Sequence, residues 1–112
     1  MSDKIEHTNK LHERKYANHS LFSFYCPGCK CGHSYEVPRW SFNGDYENPT
    51  FSPSLLLFVP ETVDPVDGTI YPRKTVCHLF VKHGKIEFCG DCPHELSGQT
   101  LEMVPFPDGY GT

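Results

Sequence analysis

Two cysteine pairs with the same spacing, Cys26-Pro-Gly-Cys29 and Cys89-Gly-Asp-Cys92, constrain this chain more than any other feature. A C-x-x-C step with Gly or Pro inside it turns tightly, sets two thiolates side by side and aims backbone N–H groups at the sulfurs. Two such turns at adjacent hairpin ends complete a tetrahedral four-cysteine zinc site of the ribbon kind, structural because no coordination position stays open. Each pair follows an apolar run ending in an aromatic, Phe24-Tyr25 and Phe88, as a knuckle at a strand end would. The interval between the pairs is far longer than a ribbon needs. Cys31, His33 and Cys77 are further donors, each able to replace one of the four. Competing readings are a redox C-x-x-C, which wants a βαβ pattern that is missing here, and free buried cysteines acting as small hydrophobes.

A chain of 112 residues allows one small domain with a limited core, to which a metal staple adds stability. Nine glycines and ten prolines mark it as loop-rich, while an aromatic share of 13% argues against disorder. Residues 1–19 are polar and of mixed charge, with Ile5, Leu11 and Tyr16 too sparse for an amphipathic face, and read as a tail or a short frayed helix. Residues 20–112 read as the zinc-stapled β domain. Leu21 to Tyr25 suits a strand leading into the first knuckle, with Tyr35 to Val37 as the returning arm. The run Leu55 to Val59 is the best candidate for a fully buried strand. Residues 60–74 read as a surface loop or a splayed hairpin end. Val76–Val81 and Lys85–Cys89 flank Lys82-His83-Gly84 as a β-hairpin, and Leu96–Val104 reads as a last strand before a Pro/Gly-rich exit. No stretch combines helical periodicity with helix start and stop signals. The fold class expected is mainly β, a small single domain of five to seven short antiparallel strands (about one per turn-bounded run) with zinc-ribbon-like cysteine knuckles.

Charge excludes a function that zinc knuckles would otherwise invite. Ten Lys+Arg stand against fourteen Asp+Glu, and no basic run exceeds a pair, so a phosphate-neutralising nucleic-acid binder is not expected. The longest apolar run, five residues from Leu55 to Val59, falls far short of the roughly 20 that a spanning helix needs. The N-terminus carries no signal-peptide pattern. A reducing cytoplasm is therefore the compartment expected, where cysteine pairs hold metal more often than they form disulfides.

Of the histidines, His7, His12 and His19 fall in the polar stretch and His83 in a turn. His78 lies inside a strand beside Cys77, so if Cys77, Leu79 and Val81 face inward, His78 and Phe80 face outward. A serine-type site would take Ser54, at the mouth of the apolar run after Pro53, as nucleophile and His78 as base. Asp91 or Glu87 could orient the imidazole, and His94 is a further candidate to complete the site. Taken alone, a serine after proline is a turn residue, and a lone strand histidine is structural. Neither G-x-S-x-G nor H-E-x-x-H is present.

The long words FYCPGCKCGH, WSFNGDYENPTFSPSLL and CHLFVKHGKIEFCGDCPHELSGQT resemble a family of small phage and prophage proteins often mislabelled as ammonia monooxygenase. The resemblance spans roughly residues 21–111. That family is similar to a wider group found in bacterial operons resembling ubiquitin conjugation systems, regarded as serine-type peptidases acting on the ubiquitin-like protein or its conjugates. The wider pattern falls here on Cys26 and Cys29, Trp40, Pro53-Ser54, Cys77 before His78, Gly84 and Cys89. The resemblance implies a catalytic Ser54 and His78; Asp91 or His94 is left to complete the site. It also makes Cys77 a zinc ligand beside Cys26 and Cys29, and leaves the fourth open between Cys89 and Cys92. Leu79 departs from the serine common in relatives, which removes one hydroxyl beside His78.

Two function classes follow. One is a small zinc-stabilised hydrolase, a serine-type peptidase whose substrate is a protein or peptide. The other is a non-catalytic zinc-stapled accessory module that binds a protein through aromatics among Trp40, Phe42, Tyr46 and Phe51. The bland reading of those four is a compact aromatic core.

Overall fold

Alternating burial organises two antiparallel sheets in the computed structural model, which describes residues 4–108. The first sheet runs in the order β1 (Lys4–Thr8), β2 (Leu11–Lys15), β3 (Ser20–Cys26), β4 (Cys31–Val37). Along β3 and β4 every second residue turns inward, burying Phe22, Phe24, Cys26, His33 and Tyr35. The second sheet contains β5 (Ser41–Phe42), β6 (Phe51–Val59), β9 (Lys74–Lys82), β10 (Lys85–Phe88) and β11 (Thr100–Glu102), in the order β11-β10-β9-β6-β5. It contributes Phe51, Leu55, Cys77, Leu79, Val81, Ile86 and Phe88 to the same core. The two faces meet through aromatic rings. Tyr35 stacks on Phe51 at 4.4 Å between centroids, and Phe22 lies 5.6 Å from Phe51. A separate ribbon of β7 (Thr62–Val63) and β8 (Ile70–Tyr71) projects from the second sheet.

The chain is mainly β, as its sequence predicts, and no helix occurs among the described residues. Eleven strands form among them rather than five to seven, because four of the eleven are only two or three residues long and leave no periodic trace in the sequence. The hairpin around His83-Gly84 forms as expected. Lys82 pairs with Lys85 across it, and both turn residues have positive φ, 50° and 76°, the two-residue turn that matches strand twist. Gly84 also packs tightly on Asn48, where an added Cβ would lie 3.2 Å from the side-chain oxygen.

Three expectations are corrected. Residues 4–15, read as part of a polar tail, form the hairpin β1–β2 and extend the first sheet. Their strand partners are near in sequence, but the rings that pack on their histidines are remote, which is why local apolar content did not reveal them. His7 stacks on Tyr46 at 3.8 Å and bonds Glu13 at 2.6 Å, while His12 stacks on Phe106 at 4.2 Å. The run 55–59 is buried only at Leu55; Phe58 and Val59 are exposed because β6 outruns the first sheet and leads into the ribbon. The last strand shrinks from 96–104 to Thr100–Glu102, since residues 94–98 are spent on turns. Residues 1–3 of the expected tail and 109–112 of the expected exit lie outside the described residues.

The N-terminal hairpin gives a direct test. Leu11 is 1% exposed, so Leu11→Ala should cost about 2–5 kcal/mol in chemical denaturation. A tail residue would cost nothing measurable.

Candidate active site and cysteine cluster

The pairing of β6 with β9 slips where the site begins. Phe51 pairs with Val81 and Leu55 with Leu79, so β6 advances twice as far as β9 over this interval. Ser52-Pro53-Ser54 thus span the interval that Phe80 alone spans on β9, an irregularity of the kind that beside functional sites often re-aims a side chain. Ser54 is left half-buried. The indole Nε1 of Trp40 donates to the Ser54 carbonyl at 3.2 Å, which fixes the backbone behind the hydroxyl. Past Leu55 regular pairing resumes, with Leu56 opposite His78.

Strand alternation on β9 turns Cys77, Leu79 and Val81 into the core, each fully buried, and leaves His78 on the other face. There His78 Nε2 lies 3.0 Å from Ser54 Oγ. Its Nδ1 lies 3.0 and 3.2 Å from the two carboxylate oxygens of Asp91. A carboxylate only accepts, so Nδ1 carries the ring proton and Nε2 offers its lone pair to the Ser54 hydroxyl. Asp91 is held by a stitched turn. Cys89 N donates to His78 O at 2.9 Å, Cys92 N to Cys89 O at 3.2 Å, and Ser97 Oγ to the carbonyls of Cys89 and Gly90 at 3.2 and 2.9 Å. The imidazole is 24% exposed and the Asp91 side chain 58%, so this constellation lies at an open surface. Glu87, the other acid considered for His78, pairs instead with Lys82 at 3.8 Å. A groove of about 250 Å³ opens on the far sheet between His12, Arg14, Ser34 and Phe106, and none of the three residues lines it.

On the inner side of β9 the sulfurs gather. One donor atom each from Cys26, Cys29, Cys77 and His94 lies within 4.8 Å of the others. Cys92 Sγ adjoins this group, 3.6 Å from Cys77 Sγ and 3.1 Å from His94 Nε2, while Cys77 Sγ is 3.6 Å from His94 Nε2. In the first knuckle Cys29 N–H points at Cys26 Sγ at 3.3 Å, as a C-x-x-C turn should. The Cys77 thiol donates to Cys26, and with help from His33 and the Cys29 N–H this holds the Cys26 thiol down to about 3 despite burial. Burial pushes Cys29 up to about 12, and the same bond to Cys26 raises Cys77. The cluster thus favours one thiolate with thiols around it.

The two knuckles are not equivalent. The second closes through its backbone, and the Cys89 sulfur stands with His78 and Asp91 rather than with the other cysteines. His94 takes a place in the cluster that spacing alone gave to a cysteine. Its ring fills the space beside Gly28, where any Cβ would overlap it, and meets Phe88 edge-on at 4.7 Å. The adjacency Cys92-Pro93-His94 is the one sequence signal that could have found it.

A family model described as "Bacterial ubiquitination-like system serine protease (BubE)" matches residues 1–89. The chain belongs to this family. The match takes in the N-terminal hairpin, the first knuckle, Trp40, Ser54 and His78, and ends at Cys89, just short of the turn that carries Asp91, Cys92 and His94. No curated protein and no solved structure matches the chain. Membership supports the relation to peptidases of ubiquitin-like operons that the long sequence words imply. Among the described residues no helix is long and apolar enough to cross a membrane.

The contact between Gly28 and His94 is testable within this BubE-family fold. Gly28→Ala should drive the His94 ring out of the cluster and destabilise the protein by about 1–3 kcal/mol, the usual range for overpacking. Thermal denaturation and the histidine ring resonances would report it; unchanged His94 resonances would show that the two do not meet.

Proposed function

We propose that this protein is a zinc-stabilised serine peptidase, with Ser54 as nucleophile, His78 as general base and Asp91 orienting the imidazole, acting on a ubiquitin-like protein or its conjugates. The observation that carries the reading is His78, which spans Ser54 Oγ and the Asp91 carboxylate at 3.0 Å on each side. That separation is within the reach required of a nucleophile and base even without substrate. The family description supplies the reaction type.

The chemistry follows from the hydrogen-bond directions. As Ser54 Oγ attacks a carbonyl carbon, its proton passes to His78 Nε2, and Asp91 stabilises the resulting imidazolium through Nδ1–H. The proton then goes to the departing amine, a lysine or an α-amine. An acyl-enzyme at Ser54 remains until His78 activates water against it. An open site suits a substrate that brings its own bulk. Beyond Ser54 the sheet continues into a ribbon whose Val63, Ile70 and Tyr71 are exposed along with Phe58 and Val59, an apolar extent of the kind that marks protein contact. Three of the four aromatics considered for a pure binding surface serve the core instead, Phe51 buried with Trp40 and Phe42 packed against it, while Tyr46 stacks on His7 and stays exposed.

The cysteine cluster fits zinc. Sulfurs 2.3 Å from one tetrahedral ion stand about 3.7 Å apart, close to the 3.6 Å between Cys77 and Cys92. Cys26, Cys29 and Cys77 would hold the ion, with the fourth place falling to the Cys92–His94 turn, where His94 is within reach of all three sulfurs. When bound, the metal supplies a cross-link between the first knuckle, β9 and that turn. Cys89 stands apart from this set.

Four variants and a label test the reading. Ser54→Ala and His78→Ala should each lower kcat/KM by about 10³-fold or more, and Ser54→Ala should abolish labelling by a fluorophosphonate probe. Asp91→Asn should cost less, about 10–10³-fold, because its carboxylate is largely solvated. Trp40→Phe removes a single bond to the Ser54 carbonyl, so it should lower kcat with little change in KM and cost about 1 kcal/mol in stability. Labelling that persists in Ser54→Ala would overturn the assignment.

Zinc removal is a separate test. A strong chelator should release about one zinc per chain and lower the melting temperature, with His94→Ala losing metal more readily than Cys89→Ser. Equal losses from the two would reject the proposed ligand set.

A further inference from the structure

Cys89 has no part in the serine chemistry and stands apart from the sulfur cluster, yet it is not idle in space. Its sulfur, an imidazole nitrogen of His78 and an oxygen of Asp91 lie within 4.8 Å of one another. Backbone bonds hold all three. Cys89 N is tied to the His78 carbonyl across the strand end, and the turn that follows returns Asp91 to the ring's Nδ1 edge. A thiol, an imidazole and a carboxylate converging at a surface are the donor types that zinc takes in sites that keep an open position. The Nδ1 to Asp91 distance of 3.0 Å approaches the roughly 3.3 Å that separates nitrogen and oxygen ligands on one tetrahedral zinc.

We propose that His78, Cys89 and Asp91 form a second, exchangeable metal site that takes Zn²⁺ and switches the serine site off. Zinc enters with three protein ligands and a water. The Cys89 thiol loses its proton to solvent. At His78 the metal takes the lone pair on Nδ1, and the ring proton formerly there appears on Nε2. Nε2 then donates a hydrogen bond instead of accepting one, so it cannot take the Ser54 proton, and Asp91 is engaged by the ion instead of the ring. Nothing is oxidised, and the ion's departure restores the tautomer. This site differs from the Cys26–Cys29–Cys77–His94 cluster in every ligand and in exposure, since His78 and Cys89 are half-buried and Asp91 is exposed. The inhibitory consequence rests on the proposed serine chemistry; the binding does not.

The test uses the full chain as purified, dialysed free of loose metal and titrated with Zn²⁺ against a chromogenic chelator. Ser54→Ala, which has no nucleophile, should take up one exchangeable equivalent as the wild type does. Cys89→Ser and Asp91→Asn should each weaken that equivalent at least about tenfold, with circular dichroism confirming that both remain folded. Co²⁺ in the same place should give a thiolate charge-transfer band that Cys89→Ser lacks. In the wild type, Zn²⁺ over the same concentrations should block fluorophosphonate labelling of Ser54, and a chelator should restore it; Cys89→Ser should label at zinc concentrations that silence the wild type. Identical zinc uptake by wild type and Cys89→Ser, or no exchangeable equivalent at all, overturns the site. Uptake without any effect on labelling overturns the switch. Wild-type protein that never labels, with or without zinc, refutes the serine chemistry, while the uptake measurements still decide whether the site exists.

Discussion

The pairing of β6 with β9 is the constraint on which the rest depends. Because side chains alternate along a strand, neighbouring residues Cys77 and His78 must point to opposite faces. One is committed to the sulfur cluster inside and the other to the serine outside. A one-residue slip of β9 would exchange them, placing an imidazole among the core aromatics and a thiol beside Ser54. Core packing prevents that slip: Leu79 and Val81 share the inward face with Cys77 and are fully buried, opposite Leu55 and Phe51. The same packed layer therefore fixes Cys77 and His78 in one register.

Irregularity at Ser54 complements that regularity. Had β6 kept step with β9, residues 52–54 would lie flat in the ladder with their side chains alternating across the sheet. The slip between Phe51 and Leu55 releases them, and Trp40 restrains what was released by holding the Ser54 carbonyl. Trp40 is itself anchored, its N–H bonded to Glu36 O at 2.8 Å and its ring edge-on to Tyr35 at 5.8 Å. The first sheet thus reaches across to position a residue of the second.

What could be read from the sequence follows the range of the interactions involved. The hairpin at His83-Gly84, the first knuckle and the outward face of His78 are set by neighbours within a few residues, and each was legible. Ser54 and Asp91 are 37 positions apart in the chain, and nothing local brings either to His78; the resemblance to a family raised Ser54 together with His78, while Asp91 was one of two acids that triad chemistry offered. The hairpin at 4–15 was missed because its histidines are packed by Tyr46 and Phe106, remote in the chain, and a single leucine, Leu11, is all it lends to the apolar core. His94 was missed because a repeated C-x-x-C spacing implied two equal knuckles, whereas the backbone closure of the second turned Cys89 away and left the place to a residue two positions beyond Cys92.

That asymmetry ties folding to chemistry. The turn Gly90-Asp91-Cys92-Pro93-His94 presents Asp91 to one face of β9 and Cys92 and His94 to the other, so a single short segment orients the base and contributes to the cluster. Asp91 is largely solvated, and an exposed carboxylate holds a partner weakly through charge alone. Its orientation has to come from the backbone, and the backbone here is fixed by Ser97 on one side and by the cluster on the other. A metal that joins that turn to Cys77, as proposed, places a restraint one residue from His78. With the proposed zinc bound, the cysteines of so small a core do more than lend stability: they set the separation of Asp91 from the imidazole.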